Sequence, residues 1–168
     1  MRLVACGVAS VCLLLLACSD SPLPGRVLGT YTVTGKSQTN SCGLGAPDPW
    51  TFSVQLSLQG STLYWSWMDG RPLLSGSIDG SSHASLTDDQ TDNADSTDAG
   101  LGPCTLQRAD DLELTLGSGS TPTTFSGTIS YAYTPAAGAS CSDVMSAAGG
   151  PFSALPCSVE YDVSAIRN

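Results

Sequence analysis

The sequence predicts an all-β protein: an antiparallel up-and-down meander of about eight strands, closed into a barrel, with a two-sheet sandwich of the same strands as the alternative. Three observations carry this. Apolar and polar residues alternate with period two over most of the chain, Gly-containing turn pairs separate the alternating runs, and no helical stripe of useful length interrupts them.

The elements follow in order. Val27, Gly29, Tyr31 and Val33 alternate with Leu28, Thr30, Thr32 and Thr34, which makes a first strand. Trp50, Phe52, Val54, Leu56 and Leu58 alternate with Thr51, Ser53, Gln55, Ser57 and Gln59, so the second strand has one dry face and one wet face. Gly60-Ser61 suits a type II′ hairpin turn, and the third strand, Thr62 to Met68, puts Leu63, Trp65 and Trp67 on one side. Asp69-Gly70 predicts a type I′ turn into a fourth strand from Arg71 to Asp79, and Asp79-Gly80 predicts another into a fifth from Ser82 to Asp88. Cys104 to Leu116 is the sixth, where Arg108 and Asp110 interrupt an apolar face and predict a bulge or tight turn near Ala109. Thr123 to Tyr133 and Cys157 to Ala165 complete the set, and Met145 to Gly149 is long enough for one helical turn. Meander topology then gathers the long connections, 37–49, 89–103 and 134–155, at one end together with 69–70. An even strand count leaves the first and last strands antiparallel, so the sheet can close and abolish its edges.

The first residues read as an address. Arg2 precedes an uncharged apolar run, Leu3 to Ala17, which is shorter than the roughly 20 residues a membrane-spanning helix needs. It fits a secretory signal peptide. Its end, Leu15-Leu16-Ala17-Cys18, resembles the lipobox of bacterial lipoproteins. That resemblance implies a diacylglycerol on Cys18, cleavage before it, and anchoring of the chain in a lipid bilayer through acyl chains. The expected organisation is a signal peptide at 1–17, a lipidated tether at 18–26 rich in Pro and polar groups, and a single β domain at 27–168. Ser19 and Asp20 after the cysteine point to the outer membrane of the cell envelope, with the domain facing the periplasm or the surface.

Seven cysteines agree with export. Cys6 and Cys12 leave with the signal and Cys18 takes the lipid, so Cys42, Cys104, Cys141 and Cys157 remain for disulfides. Of the pairings open to four cysteines, Cys141 with Cys157 across a Gly/Ala/Pro-rich loop is the favoured local one, leaving Cys42 for Cys104. No CxxC occurs, which argues against a zinc ribbon or a thioredoxin-type centre.

An eight-stranded barrel holds either a packed core or one small ligand. The mature domain loosely resembles the lipocalin group, since Gly29-Thr30-Tyr31 stands where that family carries Gly-x-Trp on its first strand. Tyr replaces Trp here, so the family's ligand chemistry is not carried over. Trp50, Phe52, Trp65, Trp67, Tyr131 and Tyr133 are the candidate lining of an apolar ligand pocket, against the plainer duty of filling the core.

A net charge of −9 with only six basic residues excludes the phosphate-binding patch of a nucleic-acid partner. Catalytic side chains are scarce: one His, one Lys and two Glu. His83 reads as a surface residue of a strand, and no GxSxG elbow is present to serve a triad. Asp110, Asp111 and Glu113 offer neighbouring carboxylates of the kind glycosidases use. The segment from Thr87 to Asp98 carries five aspartates, of which Asp88, Asp92 and Asp95 are weak candidates for calcium; the spacing lacks the EF-hand pattern and fits a solvated loop tip. No cofactor is implied. The expected role is non-catalytic binding or interaction at the cell envelope, with a small apolar ligand or an envelope protein as partner. A purely structural envelope component and a calcium-dependent or carboxylate hydrolase are the alternatives.

Overall fold

A computed structural model describes residues 23–43, 45–94 and 104–168. The lipobox, Cys18, Asp95 and Asp98 lie outside the described residues. Eight strands run in sequence order around a closed barrel: β1 Arg26–Asn40, β2 Trp50–Gln59, β3 Thr62–Trp67, β4 Leu74–Ile78, β5 His83–Ala94, β6 Cys104–Leu116, β7 Thr124–Pro135 and β8 Cys157–Arg167. Every neighbour pair is antiparallel, and β1 closes on β8 from Tyr31↔Arg167 to Asn40↔Val159.

The inward phase of each strand makes the core. Tyr31, Val33, Val54, Leu56, Leu63, Trp65, Leu86, Leu112, Leu114 and Ile129 are all fully buried. Outward positions are polar: Thr30, Thr32 and Thr34 on β1, Thr51, Ser53 and Gln55 on β2, Thr124, Ser126 and Thr128 on β7, Ser158, Asp162 and Ser164 on β8. A barrel embedded in lipid carries an apolar outward band instead, so this outer surface suits water.

Two inward glycines let the sheet bend. A Cβ on Gly127 would stand 2.0 Å from the Glu113 carbonyl oxygen, and one on Gly76 would stand 2.0 Å from that of Ser85. Neighbouring backbone passes where a side chain would go, which is the kink that closes a small barrel.

The structure corrects the sequence reading in several places. No bulge occurs near Ala109, because β6 pairs residue for residue with both β5 and β7 through Arg108–Asp110. The register shifts of β1 fall instead at Val27/Gly29 and Ser37/Thr39. The Asp69-Gly70 hairpin is longer than a two-residue turn: β3 ends at Trp67 and β4 begins at Leu74. The acidic segment is not a loop tip up to Ala94, since β5 continues that far in pairing with β6. At Asp79 the chain does turn, but not as a type I′ pair: Ser82, and neither Asp79 nor Gly80, takes a positive φ (65°), and the Asp79 carboxylate accepts the backbone N–H of Ser81 at 2.8 Å and of His83 at 2.9 Å. Those donors, that of His83 first, hold its pKa below the ordinary carboxylate value.

Both disulfides differ from the favoured pairing: Cys42 bonds Cys157 and Cys104 bonds Cys141. Cys157 opens β8, and β8 lies against the end of β1, so its side chain meets Cys42 just past that end. The β7–β8 connection crosses the start of β6 and brings Cys141 to Cys104. Closure of the barrel therefore decides the pairing, and sequence proximity does not.

Candidate functional site

At the end with the long connections the inward phase of β5 and β6 changes character. Ala84 and Leu86 give way to Asp88, Gln90 and Asp92, while Leu112 and Leu114 give way to Asp110 and Arg108. The alternation is unbroken, so these polar groups point into the barrel mouth rather than outward.

They bond one another. Arg108 donates to both carboxylate oxygens of Asp110, from Nε at 2.7 Å and from Nη2 at 2.9 Å. Its Nη2 also donates to Gln90 Oε1 at 2.7 Å, and Gln90 Nε2 donates to Asp88 Oδ2 at 2.7 Å. Asp92 stands 3.5 Å from Arg108 Nη1. Burial pushes the Asp110 carboxyl above its ordinary pKa despite the opposing pull of Arg108.

Beside this network opens a cavity of about 340 Å³, within the range of small-molecule sites. Trp50, Tyr131, Tyr133, Tyr161 and Val159 give it ring and apolar walls, Arg71 and Arg108 give it cationic edges, and Gly45–Pro47 lies along its rim. Trp50 packs against Tyr161 at 5.0 Å between ring centroids and against Tyr131 at 6.2 Å. Arg71 comes from the β3–β4 connection and lies over the Trp67 ring with Cζ 3.5 Å from its centroid. Asp69 holds it there through Nε at 3.0 Å and Nη2 at 2.9 Å.

The Tyr131 hydroxyl is cut off from solvent and lies near Arg71, without a well-formed hydrogen bond to any described residue. Burial raises its pKa strongly, so it is a neutral O–H at physiological pH. The Tyr133 hydroxyl is also raised by burial.

Of the six candidate pocket residues, Trp50, Tyr131 and Tyr133 line this cavity. Trp65 and Trp67 are buried core, and Phe52 packs between Trp50 and Trp67. Sequence reasoning missed Arg71, Arg108 and Tyr161. The signal for Arg108 is its place on the inward phase of an otherwise apolar strand.

Among the described residues the catalytic and metal candidates do not assemble. Asp110 faces inward, whereas Asp111 and Glu113 are exposed on the outside, so the three cannot flank one substrate. Asp88 and Asp92 face the mouth but are engaged with Gln90 and Arg108, and no cluster of three or more His, Cys, Asp or Glu suited to a metal occurs among the described residues. His83 lies exposed on β5, as the sequence predicted. Near it Ser85 Oγ donates to Glu113 Oε1 at 2.6 Å, and His83 Nε2 stands 3.1 Å from Glu113 Oε2. The carboxylate sits between serine and histidine, so the imidazole cannot take the serine proton as a triad requires.

Comparison with known proteins finds no match. No family model, no curated protein and no solved structure matches the chain. The functional reading therefore rests on the geometry of the barrel.

Proposed function

We propose that this chain is a lipid-anchored, non-catalytic binding protein of the cell envelope that takes a small, partly aromatic ligand in the barrel mouth. The observation that carries the reading is the cavity of about 340 Å³ walled by Trp50, Tyr131, Tyr133 and Tyr161 at the end where the long connections gather. Large rings at an open mouth, with few polar groups among them, match the composition of small-molecule sites.

The anchoring half of the proposal rests on the Leu15-Leu16-Ala17-Cys18 motif. The geometry suits it. Pro24 accepts a 2.7 Å hydrogen bond from Ser57 Oγ, and Arg26 donates to the Ser120 carbonyl at 2.7 Å. The chain thus enters at the end that carries the 60–61 and 117–123 turns, opposite the mouth. A short tether from Cys18 would hold that end toward the bilayer and turn the mouth away from it. Two or more acyl chains suffice for stable anchoring.

Two measurements test the halves separately. The Cys18→Ser variant should leave the membrane fraction, and its N-terminal peptide should lose the acyl mass; retention in the membrane would overturn the anchor. A ring-bearing small-molecule panel should quench tryptophan emission and raise the melting temperature of the purified protein, and Trp50→Ala should abolish both responses. A panel that produces neither response would refute the binding role and favour the structural envelope component.

A further inference from the structure

Resting on the reading of the mouth as a binding site, we propose that its ligand is an aromatic ring carrying an anionic acceptor group, with a carboxylate as the simplest case. The ring would lie against Trp50 and Tyr161, and the acceptor oxygens would meet Arg71 and Arg108 at the cavity's edges.

The polar side chains that line the cavity supply donors. A guanidinium has five N–H donors and no acceptor. Arg71 spends Nε and Nη2 on Asp69, and Arg108 spends Nε and Nη2 on Asp110 and Gln90. Each pairing leaves Nη1 outside it; Arg108 Nη1 makes a long hydrogen bond of 3.5 Å to Asp92 and keeps a second N–H. The two guanidiniums come from separate parts of the barrel, the β3–β4 connection and β6, yet line one cavity. Such convergence recognises an oxygen with several lone pairs.

Other ligand classes fit worse. A cation would face two guanidiniums at close range. A neutral hydrocarbon ring would satisfy the apolar walls but displace water from the guanidinium N–H groups without replacing it. Asp69, Asp92 and Asp110 offset the two guanidiniums at close range, so recognition rests on the directed N–H donors and not on a net positive charge. Asp69 and Asp110 hold the two guanidiniums in place and keep the pocket from being a bare cationic trap that would collect any anion; the ring walls then select for an aromatic one.

The experiment is calorimetric titration of the purified protein with three matched probes: 2-naphthoate, 2-naphthamide and 2-naphthylmethylammonium. The carboxylate is expected to bind about tenfold or more tightly than the amide, as a charge-assisted hydrogen bond over a neutral one requires, and the ammonium is expected not to bind. Arg71→Gln should reduce carboxylate affinity about tenfold while leaving the amide within about twofold. The variant keeps the stem volume, and its melting temperature controls for folding. Equal binding of amide and carboxylate, or tighter binding of the ammonium, would overturn the anionic ligand while leaving a binding mouth in place. No binding by any of the three, together with a silent ring-bearing panel, would overturn both.

Discussion

Arg108 and Asp110, two apart on β6, face the same way and share two hydrogen bonds of 2.7 and 2.9 Å inside the barrel mouth. Period two puts them on one face, and two N–H donors of the guanidinium match the two carboxylate oxygens. The Asp110 side chain is only 5% exposed, so its charge depends on that partner. Arg108→Met removes it and should destabilise the protein by about 1–3 kcal/mol at pH 7, a figure reduced for the partial exposure of Arg108. The sign of the pH effect follows from Asp110. Its folded pKa already lies above the unfolded value because of burial, and without Arg108 it rises further. A carboxyl raised on folding stabilises below its unfolded pKa, and that contribution is lost as pH rises through the folded one. The defect of Arg108→Met should therefore be largest near neutral pH and shrink toward pH 4, as read by urea denaturation across that range. A pH-independent defect would refute this account.

Cys42–Cys157 fastens β1 to β8 at the seam of the barrel. It closes a loop of 115 residues, against 37 for Cys104–Cys141. The chain-entropy account gives upper values of about 5 and about 4 kcal/mol for loops of these lengths. Cys42→Ser with Cys157→Ser should lower the melting temperature more than Cys104→Ser with Cys141→Ser, by scanning calorimetry of both double variants. Peptide mapping of the oxidised protein should recover the 42–157 and 104–141 cross-links; a 141–157 peptide would contradict the barrel closure described above.

Tyr31 lies in the core near the tethered end, and its hydroxyl donates to the Pro122 carbonyl at 2.7 Å. Replacing it by Phe leaves a buried carbonyl without its donor. Tyr31→Phe should cost about 1–2 kcal/mol in chemical denaturation and leave ligand binding at the opposite end unchanged.

Gly127 sits inward between Phe125 and Ile129, where β6 backbone passes close. Gly127→Ala should cost about 1–3 kcal/mol through overpacking, whereas Gly60→Ala meets nothing within 4 Å and should lose only through its φ of +60°. Thermal melts that ranked Gly60→Ala as the worse of the two would count against the kink.

Much of this protein was legible from local pattern. The alternation from Trp50 to Gln59, the Gly-containing turns and the even strand count gave the strands, their order and the closed barrel, because each rests on steric rules acting over a few residues. The sequence also placed the long connections and all four described cysteines at one end. Tertiary structure alone decided the rest. Disulfide partners depend on which strand ends meet when β1 closes on β8, which no spacing encodes. Arg108 and Asp110 read as a defect in an apolar strand because burying a charge is costly unless a partner waits; here each is the other's partner, and Gln90 arrives from β5. Arg71, 37 residues from Arg108 in the chain, reaches the same cavity only because the barrel turns the β3–β4 connection over its mouth. Strand identity is a property of neighbours along the chain, whereas a site is a property of neighbours in space, and only closure of the sheet determines those.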